Sequence, residues 1–258
     1  MICSVSRELN YIFEHQNGKC PPSQRLHMPK KRPVGTPLGS IRDSPPNLEP
    51  ISQLGGLILA GGKSLRLREK CLRPLHGRPL IAYVFDCVSA ITQQTVVAAR
   101  TTTQRAKLKK VLPGARIVLD GIRTQSPLVG FLSGLRVLQT PYVFAAPCDA
   151  PLIEPKLIHV LYSKAVGNDC ALPKFDGKLN PLLSVYNRTS AIRASTIARK
   201  NGELSMHEML THLEKVVAVS KVTIQSADPD LSSLLNINTN IELAKARRIL
   251  RKRLNAKA

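Results

Sequence analysis

Acidic and aromatic residues are scarce in this sequence of 258 residues. It contains 17 Asp and Glu against 38 Lys and Arg, no Trp and 4% aromatic residues, and its formal net charge is +21. Such an excess of positive charge indicates an anionic partner, which could be a phosphate-rich small molecule, a nucleic acid or a membrane surface. Because few aromatic rings are available to stack on bases, nucleic acid is the less favoured partner.

Long apolar runs and closely spaced cysteines are also missing. No stretch of about 18 apolar residues is present, so no transmembrane helix and no membrane partner are predicted. The first 30 residues lack the unbroken apolar block of a secretory signal. The six cysteines form no C-x-x-C pair, which argues against a structural zinc site. We therefore expect free thiols in a reducing compartment and a cytoplasmic location.

The composition divides the chain into three parts. Residues 1–53 hold eight of the 19 prolines, and we predict a disordered, basic, Pro-rich extension there. Two alternatives are a basic arm that binds a partner and an artefact of start-codon choice, with Met28 as a later start. Residues 54–245 are predicted to form the folded domain, and residues 246–258 a basic helical tail.

Apolar periodicity alternates regularly within the folded part. Continuous apolar runs predict buried strands and spaced ones predict helices. In chain order the predictions are a strand at 54–60, a helix at 79–91, a strand at 95–99, a helix at 102–111, a strand at 115–119, a helix at 128–138 and strands at 142–146 and 179–187. Repeated strand–helix–strand units predict a parallel sheet covered by helices on both faces, with ligands bound at the carboxyl ends of the strands.

The first strand ends in a glycine pair followed by basic residues. Gly61 and Gly62 allow backbone N–H groups to face an anion, and Arg66 and Lys70 follow closely. A Walker A motif is excluded because its spacing requires glycine where the chain has Leu57. The alternative is an ordinary strand-to-helix turn without a ligand.

Other strand ends carry the scarce acids. Asp149 ends the strand in AAPCDAP, where Mg²⁺ between this carboxylate and phosphates would relieve their repulsion. Its alternative role is to cap the next helix. Asp120 ends the third strand, and its carboxylate could accept hydrogen bonds from a guanine edge or from other donors. Asn236 and Asn238 read as ordinary turn or cap residues before the last helix.

These motifs occur in a recognisable order. The order is LAGG followed by R and EK, then D with SPLVG, then PCDAP, NPL, and NINT with EL. In this ordered set of motifs the chain resembles the nucleotidyltransferases of the molybdenum cofactor guanylyltransferase type. The resemblance covers about residues 54–245. It implies a three-layer, Rossmann-like, mostly parallel sheet with helices on both faces, as in nucleotide-diphospho-sugar transferases.

The resemblance also implies an activity, transfer of GMP from GTP to the phosphate of molybdenum-carrying molybdopterin with Mg²⁺ as cofactor. It assigns catalysis to Arg66, Lys70 and Asp149, with Asp149 as the metal ligand. The implied nucleotide-binding residues are Leu59, Ala60, Gly61, Gly62, Lys70, Asp120 and Asp149. Residues that complete the active site or hold the acceptor are Asn180, Asn236 and Asn238. Molybdoenzymes or other proteins of cofactor biosynthesis are further expected partners.

The chain departs from the family pattern at three places. The usual R-M-G-x-D-K stretch is one residue shorter, Ser126 replaces a glycine, and Ala98 and Ala99 stand where the family has an Asn near the base. The base and the acceptor therefore stay open. Alternatives are CTP with molybdopterin, GTP with cobinamide phosphate or phospholactate, and a sugar phosphate as acceptor. A non-catalytic, basic nucleic-acid-binding protein is an alternative of another class.

Overall fold

A mostly parallel β-sheet forms the centre of the protein. The computed structural model describes residues 48–61, 70–120 and 126–255, all of which belong to the compact unit Ser44–Ala258. Within these ranges the strands are β1 (Ile51–Leu59), β2 (Pro74–Leu75), β3 (Arg78–Pro79), β4 (Thr92–Ala99), β5 (Arg116–Leu119), β6 (Tyr142–Pro147), β7 (Cys170–Phe175), β8 (Lys178–Leu179), β9 (Ser184–Asn187) and β10 (Val216–Val219).

The strand order of the main sheet is β10-β7-β9-β6-β1-β4-β5, with β8 paired to β7. β1 runs parallel to both β4 and β6, and in this register Leu57 lies beside Val96 and Ala145. Strand β9 is antiparallel to both of its neighbours, β6 and β7. Strands β2 and β3 form a separate antiparallel hairpin. The predicted fold class, a mostly parallel sheet, is confirmed.

The helices begin where the sequence places proline or a capping residue. Pro127 and Pro155 each lie at the first helical turn of their helix, where a missing N–H costs nothing. In the described part of the chain the α-helices are α1 (Leu80–Ile91), α2 (Thr102–Val111), α3 (Pro127–Val137), α4 (Pro155–Ala165), α5 (Arg188–Lys200), α6 (Met206–Leu210), α7 (Lys221–Ala227) and α8 (Asn240–Asn255).

Both faces of the sheet are covered, which gives three layers. Successive side chains of a strand point to opposite faces, and Leu57 and Ile58 accordingly enter different apolar clusters. Residues of α1, α2, α4 and α7 pack on one face, and residues of α3, α5 and α6 pack on the other. A third cluster joins α8 to the β2–β3 hairpin through side chains such as Leu75, Ile237 and Leu243.

The predicted elements agree with the structure except in one segment. Residues 179–187, predicted as one strand, are divided into β8 and β9 by a turn. Pro181 in that turn has no N–H to donate to a neighbouring strand, and Ser184 Oγ donates back to the Asn180 carbonyl at 2.6 Å. None of the described helices is long and apolar enough to cross a membrane.

The predicted division at residues 53 and 245 stays a prediction. Strand β1 begins at Ile51, and α8 continues through residue 245 to Asn255.

Candidate active site

Four strands bring their carboxyl ends to one edge of the sheet. Hydrogen bonds continue beyond the strands there: Ala60 N–H donates to the Ala98 carbonyl at 3.0 Å, and Asp120 N–H to the Ala99 carbonyl at 3.0 Å. On the other side of β1, the Cys148 N–H donates to the Leu59 carbonyl at 3.2 Å. Residues 59–61 therefore lie between the strand end that carries Asp120 and the one that leads to Asp149.

Lys70 and Asp149 form an ion pair at this edge. Lys70 begins a short 3₁₀ turn, Lys70–Leu72, and its Nζ lies 2.5 Å from Asp149 Oδ2. The two side chains retain only 16% and 15% of their exposure, so solvent screens their attraction less than on an open surface. Lys70 Nζ also donates to Asn238 Oδ1. Three of the residues predicted for the site are thus in direct contact.

The segment before α8 is attached to the same place through its backbone. Ile237 N–H donates to the Asp149 carbonyl at 2.8 Å. Glu242 Oε2 accepts the N–H groups of Asn238 and Thr239 at 2.6 and 2.7 Å, and Thr239 Oγ1 accepts the Glu242 N–H at 3.2 Å. This reciprocal capping box holds the turn that presents Asn238.

Glu242 is a member of the site that the sequence interpretation missed. Burial would raise its pKa, but the N–H groups of Asn238 and Thr239 and the charge of Lys70 lower the pKa below its ordinary value. The spacing Thr-x-x-Glu before an apolar helix is the signal that could have identified it.

Asp120 lies in a different environment from Asp149. Its residue is 7% exposed, and its Oδ1 is buried without a hydrogen-bond partner among the described residues. Burial raises the pKa of Asp120, an effect that the nearby Arg100 charge reduces. Buried polar atoms are normally hydrogen-bonded, so this oxygen is a vacant acceptor at a strand end.

Gly61 lies beside the Asp120 carboxylate. A Cβ added at Gly61 would lie 3.7 Å from both Arg100 Cβ and Asp120 Oδ2. On the other side, a Cβ at Gly130 of α3 would lie 3.6 Å from Ala98 Cβ and 3.9 Å from Asp120 Oδ2. Glycine at both places therefore adds no side chain beside Asp120 Oδ2.

Gln104, in the first turn of α2, connects two strand ends and was also missed. Its Nε2 donates to the Ala60 carbonyl at 2.8 Å, and its Oε1 accepts the Arg100 N–H at 2.8 Å. The chain lacks the family's Asn at Ala98 and Ala99, and Gln104 supplies an amide side chain close by. The spacing Thr101-x-x-Gln104 is the signal that could have identified it, since Thr101 Oγ1 accepts the Gln104 N–H at 3.0 Å and caps α2.

The remaining predicted residues are placed as follows. Asn180 lies in the turn after β8 and its N–H donates to the Pro173 carbonyl at 3.0 Å. Among the hydrogen bonds of the described residues, it contacts neither Lys70 nor Asp149. The Asn236 carbonyl accepts Asn238 Nδ2 at 3.4 Å. Gly62 and Arg66 lie outside the described residues. The alternative of Asp149 as a helix cap is excluded, because the residue before α4 is Glu154, without a side-chain cap.

The oxygen donors at Asp149 suit a hard divalent cation. No group of three or more His, Cys, Asp or Glu able to hold a metal occurs in the ranges that the structure describes. Mg²⁺ does not require such a group, since one or two carboxylates with waters and substrate phosphates usually hold it. Asp149 and Asn238 already surround a cation, the Lys70 ammonium, with two oxygens. The residues present therefore fit Mg²⁺.

The fold and the site define the class of protein. Three features meet at the carboxyl edge of a three-layer α/β sheet: Gly61, the Lys70–Asp149 pair and an Asp120 oxygen without a partner among the described residues. Together they characterise a nucleotidyltransferase. Residues 56–216 match the MobA-like NTP transferase domain. The chain belongs to this family.

Relatives agree with this assignment. A molybdenum cofactor guanylyltransferase from Desulfosudis oleivorans is 30% identical over 197 residues, which are 74% of this chain and 93% of the relative. A probable molybdenum cofactor guanylyltransferase from Methanosarcina mazei is 26% identical over 191 residues, covering 71% of this chain and 85% of that protein. The crystal structure of molybdopterin-guanine dinucleotide biosynthesis protein A from Archaeoglobus fulgidus superposes with a TM-score of 0.67 at 28% identity, covering 77% of this chain and 99% of the other.

Proposed function

We propose that the protein transfers GMP from GTP to the phosphate of molybdopterin carrying molybdenum and releases pyrophosphate. The observation that carries the proposal is the contact of Lys70 Nζ with Asp149 Oδ2 and Asn238 Oδ1 beside the LAGG strand end. Relatives that are 26% and 30% identical to this chain are named probable molybdenum cofactor guanylyltransferase and molybdenum cofactor guanylyltransferase. The site therefore joins phosphate-binding and base-binding groups at one sheet edge.

The reaction is a displacement at the α-phosphorus of GTP. A phosphate oxygen of the acceptor forms the new bond to this phosphorus, and the bond from the α-phosphorus to the bridging oxygen of the β-phosphate breaks. The electron pair of that bond leaves with pyrophosphate. Such transfers depend on positioning and charge neutralisation more than on covalent participation of the protein.

Each side chain of the site has a role in this proposal. The Gly61 region accommodates the triphosphate, since it lacks a side chain where phosphates would approach. Lys70 neutralises negative charge on the departing pyrophosphate. The Asp120 carboxylate, whose Oδ1 has no partner among the described residues, accepts hydrogen bonds from the guanine edge. Before nucleotide binds, Asn238 contacts Lys70, and Glu242 holds the turn that presents Asn238. We assign phosphate contacts to Gly62 and Arg66 by the resemblance alone.

Mg²⁺ would be held by Asp149 together with phosphate oxygens. When bound, it would supply positive charge that neutralises the phosphate oxygens of the two substrates. A cation held by Asp149 would reduce the repulsion between this carboxylate and the two anionic substrates.

The base is tested by measuring pyrophosphate release from GTP, CTP, ATP and UTP with Mg²⁺ and molybdenum-carrying molybdopterin. We expect release from GTP and at least tenfold less from CTP, because Asp120 can accept two donors of guanine. Faster release from CTP would contradict GMP transfer and indicate that the protein transfers CMP. Omitting the pterin, or supplying a sugar phosphate, cobinamide phosphate or phospholactate instead, should abolish release.

We place this reaction in the cytoplasm, with molybdoenzymes or other cofactor-biosynthesis proteins receiving the product. The described cysteines Cys71, Cys87, Cys148 and Cys170 form no disulfide with one another, which is typical of proteins from reducing compartments. A pull-down with a molybdoenzyme that requires the guanine dinucleotide form of the cofactor would test the partnership.

A further inference from the structure

The Lys70 ammonium lies against the carboxylate that is proposed to hold the metal ion. Its Nζ is 2.5 Å from Asp149 Oδ2 and also bonds to Asn238 Oδ1. Carboxylate and amide oxygens of this kind are the donors that Mg²⁺ prefers. A divalent cation that approaches these oxygens meets a positive charge already in contact with both of them.

Nothing else in the described surroundings offers Lys70 a better partner. Glu242 is the other acid whose charge interacts with Lys70. Its Oε2, however, accepts the N–H groups of Asn238 and Thr239 and the Thr239 hydroxyl. Moving this carboxylate to Lys70 would break the capping box of α8. Lys70 therefore stays with Asp149 until another anion competes for it.

A nucleoside triphosphate is such an anion. The LAGG strand end and Asp149 belong to neighbouring strands, joined by the bond from Cys148 N–H to the Leu59 carbonyl. Phosphates bound at this turn would carry several negative charges close to Lys70, and the flexible four-carbon stem of lysine allows the ammonium to move to them. Its departure frees Asp149 Oδ2 and Asn238 Oδ1 together.

We propose that Lys70 keeps the metal position closed in the nucleotide-free protein and opens it only when a nucleoside triphosphate draws its ammonium away. The inference rests on the proposed function, in which Asp149 holds the metal ion. Its consequence is that metal and nucleotide bind with positive coupling, and that the free protein binds a divalent ion weakly. Lys70 then has two positions, one on Asp149 before binding and one on phosphate afterwards.

The test is a titration with Mn²⁺ in the absence of nucleotide, in which the electron paramagnetic resonance signal of free Mn²⁺ measures binding. Lys70→Met should bind Mn²⁺ on the order of tenfold more tightly than the wild type. In the wild type the Lys70 ammonium occupies Asp149 in most molecules and competes with Mn²⁺, and the variant lacks this ammonium. Lys70→Gln is the second variant, and circular dichroism verifies the fold of each. In the double variant Lys70→Met/Asp149→Asn the gain should disappear.

Arg73→Met is the matched control. Arg73 lies on the same turn, but its guanidinium donates to Asn240 Oδ1 and not to Asp149. Its removal takes away one nearby positive charge without opening the site, so Mn²⁺ affinity should change by less than about twofold. An equal gain in Arg73→Met would show a general charge effect and overturn the proposal. Unchanged Mn²⁺ affinity in both Lys70 variants, or a gain that survives Asp149→Asn, would also overturn it.

Nucleotide supplies a second readout. GTP should raise the Mn²⁺ affinity of the wild type by a larger factor than that of Lys70→Met, since only the wild type has a lysine to displace. Equal factors would contradict the proposal. The comparison without nucleotide does not depend on the base or the acceptor, whereas pyrophosphate release decides the proposed function, so the two can fail separately.

Discussion

Asp149 and Asp120 lie at the same edge of the sheet but in different environments. Asp149 faces the Lys70 ammonium at 2.5 Å, so its charge is balanced within the protein. Asp120 is 7% exposed, and its Oδ1 has no partner among the described residues. Asp149 is therefore suited to a cation, and Asp120 to a neutral hydrogen-bond donor such as a base edge.

The raised pKa of Asp120 predicts a pH dependence of GTP binding. As the pH falls through this raised value, which exceeds the ordinary value of about 4, the carboxyl becomes protonated and loses acceptor capacity. The KM for GTP should therefore rise at acidic pH. Because the folded protein binds this proton more readily than the unfolded chain, the contribution of Asp120 to stability increases as the pH falls. Acid unfolding driven by Asp120 therefore cannot explain the rise in the KM for GTP.

Asp120→Asn provides the matched measurement. It should raise the KM for GTP roughly 10- to 100-fold, the effect of losing a hydrogen bond to a charged group. In this variant the Asp120 component of the pH profile should be absent. If KM stays at the wild-type value, Asp120 does not contact the base.

Gly61 should be required for binding and not for folding. A Cβ at this position would make ordinary contacts at 3.7 Å with Arg100 and Asp120, so Gly61→Ala should leave the thermal midpoint nearly unchanged. The methyl group would occupy the space proposed for the nucleotide, and the KM for GTP should rise on the order of tenfold. Parallel thermal unfolding and steady-state kinetics test both parts, and unaltered kinetics would contradict the assignment.

At the scale of elements, helix α3 packs on strand β1 at Gly134, a glycine that is required for packing and not for binding. A Cβ at Gly134 would lie 2.2 Å from Leu57 Cδ1, and Leu57 is completely buried. Gly134→Ala should therefore lower the free energy of unfolding by about 1–3 kcal/mol, the usual cost of overpacking. Urea unfolding measures this loss, and a variant as stable as the wild type would show that the α3–β1 contact can relax.

Helix α8 contributes its first turn to the site. Glu242→Ala should lower the free energy of unfolding by about 1 kcal/mol, because it removes a cap, and should also lower kcat/KM, because Asn238 loses its support. Glu208→Ala is the matched control, since Ser205 and Glu208 form a second capping box at α6. The control should lose similar stability and keep its activity. Equal activity in both variants would dissociate the α8 capping box from the reaction.

At the scale of the whole molecule, α8 crosses the proposed domain boundary at residue 245. Beyond it, Ala246 is completely buried, and Ile249 and Leu250 pack against the third apolar cluster. Arg253 pairs with Glu154 and donates to Ser232 Oγ at 2.7 Å. The end of the chain therefore contacts the segment that follows Asp149.

Two truncated chains test this boundary. A chain that ends at residue 245 should be about 2–5 kcal/mol less stable than one that ends at residue 255, because several buried apolar side chains are lost. Its activity should also fall, since α8 holds the turn that carries Asn238. Urea unfolding and pyrophosphate release measure the two effects. Equal stability of the two chains would instead support residue 245 as the end of the folded domain.

The class of fold and the position of the binding edge could be predicted from the sequence. Buried strands are continuous apolar runs, helices carry spaced ones, and glycine or proline marks the ends, so each element is determined by side chains close together in the chain. The alternation of these elements leaves few arrangements other than a parallel sheet. The acids at strand ends consequently indicated phosphate chemistry.

The contacts within the site were decided by the tertiary structure. Lys70 is 79 residues from Asp149 and 168 residues from Asn238, and no local periodicity records which side chains meet across a cleft. Gln104 entered the site for the same reason, since its Nε2 reaches the Ala60 carbonyl, 44 residues away along the chain. Among the described residues Glu242 makes only local capping bonds, and the packing of the segment before α8 against Asp149 brings it to the site. The sequence by itself thus determined the elements and the kind of chemistry. The packing of distant strand ends decided that a lysine, and not solvent, faces the carboxylate proposed to bind the metal ion.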